Sequence, residues 1–119
     1  MRMAIIGIVS VALITLTGAA NAELYCQDKL DGAITWSDGR VMIRPDHADW
    51  EVLCSLDSPR QGVSTSTCFA WYGQINAAIT QNKQVIVYFP ESIADCASVP
   101  TYDGTPVPGY VAELAAPAS

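Results

Sequence analysis

Histidine is almost missing from this 119-residue chain, and the single one, His47, sets a ceiling on acid–base and metal chemistry. Basic residues are nearly as scarce, six against 12 Asp and Glu, and they form no run. A surface this acidic repels phosphate backbones and anionic headgroups, which argues against nucleic acid and membrane surfaces as partners. No two cysteines stand closer than Cys54 and Cys68, 14 positions apart, so the paired C-x-x-C spacing of zinc ribbons and thioredoxin-like sites is absent. Glycines are scattered singly, which removes the phosphate-cradling loop, and no serine sits in a Gly-x-Ser-x-Gly elbow.

Only one long apolar run is present, at the start. Arg2 supplies a short positive region, Ala4 to Leu16 carries no charge, and Ala20-Asn21-Ala22 has the small-x-small form that signal peptidase accepts. The run is shorter than the roughly 20 residues that span a bilayer comfortably. The expected organisation is a cleaved leader over 1–22, a single disulfide-stapled domain over 23–114 and a flexible tail over 115–119. Cleavage at Glu23 removes 22 residues and leaves 97, with five basic and 12 acidic side chains, a net charge of −7. The address is then periplasmic or secreted. Glu23-Leu24-Tyr25 before Cys26 lacks the small-residue context of a lipid acceptor, so no membrane anchor is expected.

All four cysteines, Cys26, Cys54, Cys68 and Cys96, follow the cleavage site. An even number in a short exported chain reads as disulfides. Four cysteines allow three pairings, and spacing does not choose among them. The preferred pairing is Cys54–Cys68, tying a strand to the start of a helix, with Cys26–Cys96, closing the N-terminal segment onto the last third of the chain.

Ala33–Trp36 and Val41–Ile43 flank Ser37-Asp38-Gly39-Arg40, and Asp-Gly between β-rich segments predicts a hairpin. Trp50, Val52, Cys54 and Leu56 alternate with Glu51 and Ser55, predicting a third strand with one buried face and the polar pair outside. Ser64 is placed to cap a helix whose stripe is Cys68, Trp71, Tyr72, Ile75, Ala78 and Ile79. Asn82 suits its left-handed end. Gln84–Phe89 reads as a strand stopped by Pro90, 91–109 as proline-broken loop, and Tyr110–Leu114 as a closing strand. The fold class is α+β in the order β-β-β-α-β-β, an OB-like, partly open five-stranded barrel with one helix. The second choice is an open antiparallel sheet packed on a helix.

Chemistry is thin. A triad built on His47 lacks an elbow serine. Asp46-His47-Ala48-Asp49-Trp50-Glu51 is the best metal candidate, yet in an extended segment Asp46 lies opposite Asp49 and Glu51, so no metal site is expected. Twelve acidic residues make some carboxylate pair inevitable, so none points to glycoside cleavage. The chain reads as non-catalytic and without cofactor. Aromatics outside the helix stripe are then the binding candidates: Trp36 by the hairpin turn, and Tyr102 and Tyr110 in the proline-rich region.

Gly62-Val63-Ser64, Thr67-Cys68-x-x-Trp71, Ala77-Ala78 and Lys83-x-Val85-x-Val87-Tyr88 resemble small secreted proteobacterial proteins. Those are similar to the OB-fold binding subunits of A–B bacterial toxins of the subtilase-cytotoxin and pertussis type. The resemblance covers about residues 54–96 and implies a glycan or cell-surface ligand and a homo-oligomeric ring. None of its motif residues matches a sugar-contacting position. Two further readings stay open. One is an acidic periplasmic inhibitor or immunity-like protein that docks on a cationic enzyme; the other is an accessory subunit whose apolar edge is covered by another chain.

Overall fold

A computed structural model describes Gly7 and residues 23–115. The expected leader, Gly7 aside, and the expected tail beyond Ala115 lie outside the described residues. The elements are β1 (Leu24–Thr35), β2 (Arg40–Pro45), β3 (Glu51–Ser55), α1 (Thr65–Thr80), β4 (Gln84–Phe89), a 3-10 turn at Cys96–Ser98 and β5 (Tyr110–Glu113). The order is the expected β-β-β-α-β-β. The five strands form an antiparallel sheet, β3-β2-β1-β4-β5, that does not close into a barrel. Its edges β3 and β5 stay apart, and a parallel bridge between Glu51 and Tyr102 stands where closure would start.

β1 is much longer than the expected Ala33–Trp36 segment. Residues 24–29 pair with β4 and residues 30–35 with β2, and the register slips at Asp31. An irregularity of this kind bends a strand, letting one strand serve two directions of sheet. Leu24, Cys26, Asp28 and Leu30 form its inward row, with Cys26 and Leu30 fully in the core. A carboxylate in that row masks the alternation, which is why the strand was not expected there.

α1 crosses the inner face. Ser64 caps it as expected, its Oγ accepting the Thr67 N–H at 3.1 Å. Cys68, Trp71, Ile75 and Ala78 pack against Val41, Ile43, Leu53, Val85, Val87, Phe89 and Val111. Tyr72 is half-buried, and Ile79 is 37% exposed, so the apolar stripe is narrower than its sequence spacing implies. Asn82 takes φ 55° just past the helix end, as its residue type favours. Both preferred disulfides are present. Cys54–Cys68 joins β3 to the first turn of α1 and Cys26–Cys96 joins β1 to the 3-10 turn, with Cα separations of 5.5 and 5.7 Å.

β3 departs from expectation. All five of its residues are buried, Glu51 at 2% and Ser55 at 5% exposure, whereas these two were placed outside. Its free backbone edge is met by segment 100–105 and by Arg60. Thr105 Oγ1 accepts the Val52 N–H at 3.2 Å, and Arg60 donates to the Val52 carbonyl at 3.5 Å. Trp50 and Leu56, expected in the buried row, flank the strand half-buried.

The hairpin turn closes through Gly39 N–H donating to the Trp36 carbonyl at 2.9 Å, with Gly39 at φ 93°. A Cβ on Gly39 would meet the Asp57 Cβ at 2.6 Å and its backbone N at 2.8 Å. Gly62 has a similar φ of 88° but nothing within 4 Å. Gly39→Ala should therefore cost about 2–4 kcal/mol in urea denaturation and Gly62→Ala only about 1 kcal/mol. Equal losses would show that the approach of Asp57 to the turn is not a constraint.

Candidate functional site

The hairpin turn lifts Trp36 to the surface, where its side chain is 48% exposed yet fixed in place. Its indole N–H points to the Met42 sulfur at 2.7 Å, and the Arg40 guanidinium lies 5.4 Å from its ring centroid. Arg40 is itself held by Asp38, Nε to Oδ2 at 2.8 Å, and by the Asp103 carboxylate. The Arg40 backbone N–H and guanidinium hold the Asp38 carboxyl below its ordinary range. Beside the indole a depression of about 280 Å³ is lined by Trp36, Ser37, Gly39, Leu56 and Asp57. It shares Asp57 with a cleft of about 450 Å³ that Arg40, Ser55 and Arg60 help to line. A fixed aromatic face, rimmed by carboxylates, hydroxyls and guanidinium groups, is the means by which proteins grip a flat polyhydroxylated ring.

The structure does not gather the three expected ligand residues. Tyr102 is 48% exposed on segment 100–105, where its hydroxyl donates to Asp49 Oδ2 at 3.2 Å. It meets the Trp36 cleft only through its neighbour Asp103. Tyr110 lies on the outer face of the β1-β4-β5 half of the sheet. Tyr25, Tyr88 and Tyr110 are direct cross-strand partners there. Their rings stack at 4.9 Å (Tyr25–Tyr88) and 5.0 Å (Tyr88–Tyr110), close to the spacing of the strands themselves. The rings thus stand on edge, face against face. Tyr88 has no free face, and the row presents mainly its edges and hydroxyls. The Tyr25 hydroxyl donates to Glu23 at 2.9 Å, which raises its pKa.

The Asp46–Glu51 segment divides. Asp46 and Asp49 are exposed, while His47 and Glu51 turn inward and meet Asp28 of β1. His47 Nδ1 lies against the Asp28 carboxylate and Nε2 is 3.7 Å from Glu51 Oε2. Both nitrogens and Oε2 are buried without a well-formed hydrogen bond. The two carboxylates sit at opposite nitrogens of the imidazole, so they cannot converge with it on one ion. Among the described residues no group of three or more His, Cys, Asp and Glu is arranged to hold a metal.

Sequence reasoning missed Tyr25, Tyr88 and Asp28 as members of these clusters. The period-two alternation of Leu24–Leu30 was the available signal for Tyr25 and Asp28, and the β1–β4 register was not readable. Burial, with the negative charge of Asp28 adding to it, pushes the Glu51 carboxyl up to about 8. A carboxyl whose pKa is raised by folding binds more protons in the native state than in the unfolded one. Stability is therefore greatest below the ordinary value of 4.5 and falls as pH rises towards about 8. The loss over that window is on the order of 4 kcal/mol. Glu51→Gln should match the parent in denaturant midpoint near pH 5 and exceed it near pH 8.5; an unchanged pH slope would contradict this origin.

No helix among the described residues is long and apolar enough to cross a membrane. No family model, no curated protein and no solved structure matches the chain.

Proposed function

We propose that this protein is an exported, non-catalytic binding module that recognises a glycan or a glycan-bearing surface through the Trp36 cleft. The observation that carries the reading is the immobilised, half-exposed indole beside the Asp57-lined depressions. Two disulfides suit an oxidising compartment and replace part of the core that a small domain lacks. The indole is fixed before any ligand arrives, so ordering it adds little to the entropy cost of binding. The neighbouring Asp38, Asp57 and Arg40 supply acceptors and donors for ring hydroxyls.

Screening the protein on a glycan array and titrating a hit by calorimetry tests this. Trp36→Ala should weaken binding at least about tenfold, roughly 1.4 kcal/mol, while Tyr110→Ala leaves it unchanged. Loss of binding on Tyr110→Ala alone would move the site to the tyrosine row. A Trp36→Ala protein that binds like the parent would overturn the reading.

A second reading concerns assembly and rests on the tyrosine row. Tyr25 is 51% and Tyr110 41% exposed, and β5 is an edge of the sheet. A row of tyrosine edges and hydroxyls beside an open strand favours a second copy of the chain. Light scattering should then show an oligomer that Tyr110→Glu dissociates; a monomeric parent would remove this reading and leave the first intact.

A further inference from the structure

The smaller depression beside the indole, about 280 Å³, has one charged residue in its lining. Trp36, Ser37, Gly39 and Leu56 are neutral, and Asp57 brings a carboxylate. The other charges around the cleft are engaged. Asp38 and Asp103 both pair with Arg40, and Arg60 donates to the Val52, Asp103 and Thr105 carbonyls at 3.5, 3.5 and 2.7 Å. Among the described residues no Lys, Arg or His pairs with Asp57. Its backbone, in contrast, is clamped. The Leu56 N–H donates to the Gly39 carbonyl at 2.8 Å, and the Asp57 N–H donates to Ser55 Oγ at 3.3 Å. Gly39 lies so close that a Cβ there would meet the Asp57 Cβ at 2.6 Å. An unmatched carboxylate is thus carried on a fixed stem where the two depressions join.

The indole selects for the same kind of group. Arg40 already lies over its ring at 5.4 Å, yet Arg40 does not line the smaller depression, so that hollow meets the ring without a cation of its own. An aromatic ring and an unmatched carboxylate bordering one hollow both attract a positive charge on an apolar frame. A neutral sugar leaves the Asp57 charge unmatched. A carboxylated or phosphorylated one is repelled by it and by the net charge of −6. The adjoining cleft of about 450 Å³ is larger than an ammonium group needs, and it offers the Ser58 hydroxyl and the Arg40 and Arg60 guanidinium groups to ring oxygens. That favours a saccharide over a bare amine or a lysine side chain.

We infer that the ligand of the Trp36 cleft is an amino sugar with a free, protonated amine, its ammonium held between the indole and the Asp57 carboxylate and its neighbouring ring in the Arg40–Arg60 cleft. This rests on the glycan reading above and names the sugar class within it. The roles of the two residues then separate. Trp36 supplies affinity for a ring of any kind, and Asp57 determines specificity by favouring rings that carry positive charge. N-acetylation of the sugar removes that charge, and with it both the ion pair and the cation–π contact.

Printed glycans bearing free amines, N-acetyl groups, hydroxyls alone or carboxylates test this at about pH 6, where a sugar amine holds its proton. Free-amine glycans should be the binders, and in calorimetry the best of them should bind at least about fivefold more tightly than its own N-acetylated counterpart. Asp57→Asn, which keeps the β-carbon packed on Gly39, should bring the two within about twofold of each other. Glu91→Gln removes the same charge at the opposite end of β1 and should preserve the difference. Neutral, N-acetylated or carboxylated glycans that bind as tightly as free-amine ones overturn the inference and leave the glycan reading standing. No binding to any printed glycan removes both. Selectivity unchanged in Asp57→Asn also overturns it, as do lysine oligomers that displace the sugar at equal concentration, the latter in favour of a cationic protein partner.

Discussion

Everything in this fold hangs on one strand that belongs to two halves of a sheet. β1 pairs with β4 through its first six residues and with β2 through its last six, and the slip at Asp31 lets the direction change between them. The bend puts β3 and β5 at opposite edges, gives the helix a concave face to fill, and leaves Cys26 within reach of Cys96. It also fixes the position of Asp28. A carboxylate in the inward row of the central strand has to meet something polar, and the β2–β3 connection brings His47 and Glu51 to it. The buried polar row is thus a consequence of the same strand that organises the core.

The two sheet edges are treated differently. β5 is open and flanked by tyrosines, whereas the free edge of β3 is met by segment 100–105 and the Arg60 side chain. Natural sheets usually blunt an edge with charge or proline. Here the covering segment is itself bounded by prolines, which limits its conformations and lets a few hydrogen bonds hold it. Glu51 is costly to ionise for a separate reason, its burial on the inner side beside the negative charge of Asp28.

How much of this was legible depends on the range of the forces involved. The Ser64 cap, the helix, Asn82 and the Gln84–Phe89 strand are written in local spacing, and the structure has them where the spacing puts them. The turn at Gly39 is local too, but its tight fit against Asp57 is not. Local pattern misled where burial comes from distant chain. Glu51 alternates like an outward residue, yet it turns inward to His47 and to the charge of Asp28 on β1. Ile79 has the spacing of a core residue but reaches past the edge of the sheet. For the site, Trp36 was visible as an aromatic beside a turn, whereas Arg40, Asp57 and Arg60 join it only through the fold. Tyr110 was picked out alone, because its partners Tyr25 and Tyr88 are set by register across three strands.

Stiffness is unevenly distributed around the Trp36 cleft. Cys54–Cys68 ties β3 to α1, and Cys26–Cys96 ties β1 to the 3-10 turn, so both staples act on the core side of the sheet. The hairpin turn needs no staple, because Gly39 lets residue 57 approach so closely that the floor of the Trp36 depression is set by van der Waals contact. Segment 100–105 carries no staple and is tied down by hydrogen bonds to Trp50, Val52 and Arg60 and by the Arg40–Asp103 ion pair. The indole is fixed from the β2 side by Met42 and meets segment 100–105 only through Arg40 and Asp103, so the aromatic face and the charged groups around it are positioned by different parts of the chain.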